Sequence, residues 1–201
     1  MSIVTLNDRA VRSVTTFGSV GGGSMVFISK QTASASASIS FTSGIDSTYK
    51  EYIFYFKDIH PATNDVYFQV NFRDGDSSYD ATKTTTAFSA YHKEDNSDTL
   101  LGYRTNADLA QSTNAQRLNC FSMNNDSDSS IAGYLHLFNP ASTTFVKHFI
   151  SVSSYMNDPS PYQINDRIAG YCNVTAAIDG VQFAMSSGNI DSGDIILYGI
   201  L

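Results

Sequence analysis

The chain of 201 residues contains no tryptophan, two cysteines, four prolines and only 15% charged residues. Two cysteines are too few for a disulfide framework or a metal cluster, so Cys120 and Cys172 are expected to be free buried thiols, a single bridge being the alternative. No apolar run approaches the roughly 20 residues of a membrane-spanning helix. Nucleophile-elbow, zinc-protease, Walker and dinucleotide-binding motifs are all missing. The sequence therefore predicts a protein without enzymatic activity and without membrane insertion.

Positive charge is also scarce, with 12 Lys and Arg against 19 Asp and Glu and a net charge of −7. Binding to nucleic acid or to an anionic membrane surface needs a basic face, so neither is an expected partner. Glutamate occurs only at Glu51 and Glu94. Since aspartate favours turns and glutamate favours helices, this balance is typical of a β protein with polar loops. Asp8 and Arg9 stand where a signal peptide needs an apolar run, which indicates synthesis in a cytoplasm.

Short strands separated by turn signals occupy residues 25–201. In "VYFQVNFR", Val66, Phe68, Val70 and Phe72 alternate with polar neighbours, which is the period-2 pattern of a half-buried strand. Eight to ten such segments without strand–helix alternation predict an all-β fold, a two-sheet antiparallel β-sandwich of jelly-roll type. A polar excursion from residue 93 to residue 119 interrupts the pattern, and "DLAQSTNAQRL" within it favours one or two helical turns.

The first 24 residues differ from the rest, because scattered apolar residues lead into the triple glycine Gly21-Gly22-Gly23. A run of glycines is a flexible linker by composition. We interpret residues 1–24 as a docking arm with a glycine hinge; an edge strand followed by a long turn is the alternative. The candidate virion-docking residues of this arm are Leu6, Val11, Val14 and Phe17.

Two predicted strands are apolar on both faces, although only one face of a sandwich strand points into the core. In "DIILYGIL", Ile195, Leu197, Gly199 and Leu201 share one face. The opposite face, together with one face of "EYIFYF", needs cover from a loop, the arm or another subunit. The candidate subunit-contact residues are Ile53, Tyr55, Ile196, Tyr198 and Ile200.

Two acidic stretches have the alternating oxygen donors of a calcium loop, and solvated hairpin turns are the alternative interpretation. They are "DGDSSYD", with Asp74, Asp76, Ser78 and Asp80, and "NNDSDSS", with Asn124, Asp126, Asp128 and Ser130. Sugar binding is a separate option, for which the outward tyrosines Tyr67, Tyr134 and Tyr171 offer stacking surfaces. His136 and His148 lie on adjacent predicted strands, but no spacing signature supports a metal site there. No metal or other cofactor is therefore expected, calcium in the acidic loops being the one open alternative.

Three runs resemble a module of virion proteins from tailed bacteriophages of aquatic bacteria. They are "ISFTSGIDSTYKEYIFYFKDIHPATN" from Ile39, "LHLFNPASTTFVKHFIS" from Leu135 and "AIDGVQFAMSSGNIDSGDIILYGIL" from Ala177. The last run, with Gly188, Gly193 and "LYG", is the most specific. The opening "LNDRAVRSVTTFG" is similar to the short segment that precedes the sandwich in these proteins.

This resemblance implies a non-enzymatic structural protein located in the virion, in a tail fibre, a tail-associated component or a head decoration. It implies self-association, for which we expect a homotrimer, and contact with other phage virion proteins. A host-surface glycan is a further expected partner. The family carries no catalytic residues over to this chain. A monomeric, lectin-like module with calcium in its acidic loops is the alternative function.

Overall fold

The computed structural model of the chain describes residues 24–157 and 161–201. Twelve antiparallel strands make up the fold, and no helix occurs in these two ranges. The strands are β1 (Met25–Ser36), β2 (Ile39–Phe41), β3 (Glu51–Pro61), β4 (Phe68–Arg73), β5 (Lys83–Lys93), β6 (Thr99–Tyr103), β7 (Gln116–Arg117), β8 (Ile131–Phe138), β9 (Lys147–Asn157), β10 (Tyr162–Cys172), β11 (Gly180–Met185) and β12 (Ile190–Ile200).

The strands form two sheets, which confirms the predicted antiparallel β-sandwich. The larger sheet has eight strands in the order β1-β12-β3-β8-β9-β10-β5-β6, and the smaller has four in the order β2-β11-β4-β7. Two short strands, β6 and β7, lie in the polar excursion, where the sequence pattern indicated no strand. The expected helical turn in "DLAQSTNAQRL" is wrong, because this segment pairs with the start of β5: Thr85 N–H donates to Leu109 O and Lys83 N–H donates to Ser112 O.

The core between the sheets consists of the apolar face of each strand. Val66, Phe68, Val70 and Phe72 are buried, as their alternation predicts. Aromatic rings make up much of its centre, where Phe183 contacts Phe54, Phe56 and Phe68 at centroid distances of 5.3–5.7 Å. Such ring pairs add about 0.5–1.5 kcal/mol each beyond the area they bury. Cys120 and Cys172 are buried free thiols, as expected.

Strand β12 connects the edge strand β1 to β3 in the middle of the large sheet. Ile195 and Leu197 point into the core and are fully buried. Leu201 shares their parity but is 76% exposed, so the expectation that it lies on the core face is wrong. It follows the last paired residue of β12, where its backbone N–H donates to Ser24 O. In the two described ranges, no helix is long and apolar enough to cross a membrane.

Candidate functional site

The outer face of the large sheet carries several half-buried and exposed apolar side chains. The smaller sheet packs on the inner face, and strand alternation sends the other half of the side chains outward. All five candidate subunit-contact residues lie on this outer face: Ile53, Tyr55, Ile196, Tyr198 and Ile200. The structure therefore brings them together, since Ile196 is paired with Tyr55, and Tyr198 with Ile53, across β12 and β3.

Four rings form a continuous row across β1, β12, β3 and β8, which we call the aromatic row. Phe27 contacts Tyr198 at 5.9 Å, Tyr198 contacts Tyr55 at 5.9 Å, and Tyr55 contacts Tyr134 at 6.1 Å between centroids. The edge ring, Phe27, is 59% exposed. Sequence reasoning missed Phe27 as part of this face, because a bulge between Phe27 and Ser29 breaks the simple alternation in β1.

Further exposed apolar side chains lie beyond the aromatic row, on β9, β5 and β6. Across these strands Ile150, Phe88, Tyr103 and Leu101 are all at least 41% exposed. Exposed polar side chains of β10 lie between them, since Arg167 is paired with Val152 on one side and with Phe88 on the other. The outer face thus carries the aromatic row on one half and separate exposed apolar side chains on the other.

Polar pairs lie on both sides of the aromatic row. In the middle of β12, Asp194 accepts hydrogen bonds from the Thr32 hydroxyl at 2.5 Å and from Lys30 Nζ at 3.2 Å. These two donors hold the pKa of the Asp194 carboxyl below its usual value, the Thr32 bond having the larger effect. On the other side of the row, His136 Nε2 lies 3.0 Å from Glu51 Oε2. An apolar centre with a polar rim is the usual anatomy of a protein interface.

The two histidines considered as a metal pair have separate environments. His136 bonds Glu51, while His148 packs against Tyr171 with ring centroids 5.8 Å apart. In the register of β8 and β9, His136 is opposite Ile150. Hydrogen bonding and surface packing account for both residues.

One of the two acidic stretches gathers its carboxylates. Oxygens of Asp74, Asp76 and Asp80 lie within 4.8 Å of one another, which is the one such group of three metal-ligating side chains among the described residues. Asp76 and Asp80 are exposed, and Ser78 N–H donates to Asp76 Oδ1 at 2.6 Å. The stretch from Asn124 to Ser130 does not form a comparable group in the described structure.

The three outward tyrosines differ in the neighbours that their rings contact. Tyr134 belongs to the aromatic row and Tyr171 packs against His148. One face of the Tyr67 ring is covered by the Arg117 guanidinium, whose central carbon lies 3.7 Å from the ring centroid. Tyr67 is therefore occupied on that face by a cation–π contact.

The docking residues Leu6, Val11, Val14 and Phe17 lie outside the described residues, so the interpretation of residues 1–24 as an arm stays a prediction. No protein-family model, no curated protein and no solved structure matches this chain.

Proposed function

We propose that this chain is a non-enzymatic structural subunit on the exterior of a tailed-phage virion, in a tail fibre, a tail-associated component or a head decoration. It assembles with copies of itself through the outer face of the large sheet, as a trimer. Residues 1–24 dock the assembly on other virion proteins. The resemblance of three runs to phage virion proteins supports the location, and the outer face supports the self-association.

The observation that carries the proposal is the outer face of the large sheet, with its aromatic row and exposed apolar side chains. Apolar side chains grouped on one face mark interaction sites, whereas singly scattered ones do not. Each fully buried large side chain contributes about 1.5–3 kcal/mol relative to exposure. Covering Phe27, Ile150 and Leu101 with a second copy therefore contributes free energy that favours association.

The experiment is the absolute mass of the full chain in solution, measured by light scattering on a sizing column. A trimer, or another fixed multiple of 21.9 kDa, supports the proposal. A monomer at micromolar concentration contradicts self-association. Mass spectrometry of purified phage particles encoding this chain tests the location separately: absence from the particle contradicts a virion role.

The second candidate function is a monomeric carbohydrate-binding module that holds calcium in its acidic loops. The approach of Asp74, Asp76 and Asp80 favours it, because calcium takes six to eight oxygen ligands and three carboxylates supply part of that set. Under this alternative, chelation of calcium lowers both the melting temperature and the sugar affinity. Under the structural proposal, a chelator leaves the melting temperature and the oligomer mass unchanged.

A further inference from the structure

A cleft of about 360 Å³ lies over the outer face of the small sheet, on the opposite side of the sandwich from the aromatic row. Its floor is the β4–β7 pair, where Gln69 is directly opposite Arg117. Its walls are residues 106–109 and 114–115 of the polar excursion. This volume is within the roughly 300–1,000 Å³ of small-molecule sites.

Five planar polar side chains line the cleft: Gln69, Asn106, Asp108, Asn114 and Arg117. Among the described residues, nothing donates to or accepts from the side-chain amides of Gln69, Asn106 and Asn114. Each amide offers donors and an acceptor in one plane. The site thus presents three uncommitted amides beside one carboxylate and one guanidinium.

The cleft is held in shape by a buried polar brace beneath it. Gln116 is fully buried, and its amide donates to Ala107 O at 2.8 Å and to Arg117 O at 2.7 Å. The Thr85 hydroxyl donates to Gln116 Oε1 at 2.7 Å and accepts from Leu109 N–H at 2.8 Å. The brace therefore fixes both walls to β5 before any ligand binds, which reduces the ordering cost of binding.

The two charged side chains are also fixed. The Arg117 guanidinium packs on Tyr67, and its Nη1 donates to Asn106 O at 3.2 Å. The Tyr103 hydroxyl donates to Asp108 Oδ2 at 2.5 Å. One positive and one negative group then share the cleft, so its net charge is zero. The guanidinium repels a metal ion from the single carboxylate. The carboxylate in turn repels an anion from the guanidinium.

We infer that this cleft binds a neutral saccharide unit without calcium. Adjacent sugar hydroxyls are paired donors and acceptors, which match amide, carboxylate and guanidinium edges. The Asp74, Asp76 and Asp80 group is not part of the lining, so calcium has no role in binding here. The inference deepens the proposed function, because a cleft on the face opposite the subunit contact remains open to a host-surface glycan in the assembled oligomer.

The test is saturation-transfer NMR on the full chain with four neutral probes: the methyl glycosides of glucose, galactose, N-acetylglucosamine and rhamnose. Transfer to at least one of them is expected, with the same strength in the presence of a chelator. Asn114→Ala and Gln69→Ala each remove one uncommitted amide, so affinity falls roughly three- to tenfold in each variant. Gln163→Ala, which removes an exposed amide from β10 on the opposite sheet, leaves the affinity unchanged.

Three results overturn the inference: no transfer to any of the four probes, transfer that both cleft variants leave intact, or transfer that requires calcium. Glucuronate serves as the acidic comparison, and a preference for it over every neutral probe also contradicts the inference. Melting temperatures of the variants confirm that they fold. If the chain is an oligomer that binds no sugar, this inference fails and the proposed self-association stands. If it is a monomer that binds sugar through the cleft, the self-association fails and this inference stands.

Discussion

The Tyr155 hydroxyl donates a 2.8 Å hydrogen bond to Asp166 Oδ2 in the interior of the sandwich. The same oxygen accepts from Cys120 N–H at 2.5 Å, so one carboxylate attaches the residue that follows the polar excursion to β9 and β10. Asp166 is fully buried, and Ser89 lies opposite it across β5 and β10. Burial raises the pKa of the Asp166 carboxyl, the hydrogen bonds opposing this only in part.

Asp166→Asn is expected to stabilise the protein at neutral pH. The asparagine oxygen can keep both hydrogen bonds, and its NH₂ group takes the place of Oδ1, facing Ser89, which pairs with Asp166 across β5 and β10. The variant avoids burying a charge that has no cationic partner in hydrogen-bond contact.

The stabilising effect of Asp166→Asn should depend on pH. Because the folded pKa of Asp166 is raised, its contribution to stability is fully present below the unfolded value of 3.8 and is lost as pH rises through the folded pKa. Urea unfolding between about pH 4 and pH 8 should show the variant gaining on the wild type as pH rises, by about 1.4 kcal/mol for each pKa unit of the shift. Asp128→Asn, at an exposed position, is the control. A constant difference across this range contradicts the assignment.

Lys147 is the second buried polar anchor, and replacing it with methionine is expected to destabilise the fold strongly. Its Nζ donates to Val174 O at 2.9 Å and also to Ala176 O, which fastens the segment after β10. Methionine fills similar volume but leaves two carbonyls without a donor, at about 1–3 kcal/mol each. We expect a loss of ~2–5 kcal/mol in urea unfolding. Lys50→Met, on the surface, should change stability by less than about 0.5 kcal/mol. Equal effects of the two changes would contradict the anchoring role.

Alternation predicted the two-faced strands well, for a physical reason. Where one face of a strand is buried, its side chains must follow period 2, so Phe54 and Tyr55 fall on opposite faces in the sequence and in the structure. The two strands in the polar excursion carry no such signal. β7 is two residues long, and only its pairing with β4, remote in sequence, makes it a strand.

The cleft was equally hidden in the sequence. The outward position of Gln69 follows from the alternation in β4, but its neighbour Arg117 comes from a stretch that favours helical turns by composition. What fixes that stretch is Gln116, which is buried although glutamine is usually exposed. Its burial is explained by its three hydrogen-bond partners, Thr85, Ala107 and Arg117. Folding brings these groups together, so the sequence alone does not reveal them.

Gly193→Ala is expected to destabilise the protein through both backbone strain and a steric clash. Gly193 has φ +118° within an irregular part of β12, and a Cβ built on it would lie 2.5 Å from Asp58 O and 2.8 Å from Ile59 Cα. Both contacts are backbone atoms of β3, so the strand pair must separate. We expect a loss of ~2–5 kcal/mol in thermal or urea unfolding.

Gly75→Ala separates the two causes. Gly75 has a similar φ of +103° but nothing within 4 Å of a built Cβ. It carries the conformational cost alone, so its variant should lose only about 1–3 kcal/mol. If both variants lose the same free energy of unfolding, β3 and β12 can move apart at Gly193 without loss of stability, which contradicts the predicted steric clash.

The double change Ile196→Ser and Ile200→Ser is expected to dissociate the oligomer and leave a folded monomer. Both side chains lie on the outer face, where Ile196 is paired with Tyr55 and Ile200 with Glu51. Their loss removes apolar area from the proposed contact, at about 0.8 kcal/mol for each buried CH₂ group, while the core residues of β12 stay in place. Light scattering should report a single copy, and the β-sheet signal in circular dichroism should persist.

Ile195→Ser is the matched control on the same strand. Ile195 is fully buried in the core, so a serine there leaves a cavity and an additional polar group, and we expect ~2–5 kcal/mol of destabilisation. The two variants therefore fail in different ways if the outer face is the subunit contact: one loses assembly, the other loses the fold. Unfolding of the double variant, or an oligomer mass that it leaves unchanged, would place the contact elsewhere. If the oligomer persists with serine at Ile196 and Ile200, this face contributes too little free energy to hold the assembly together.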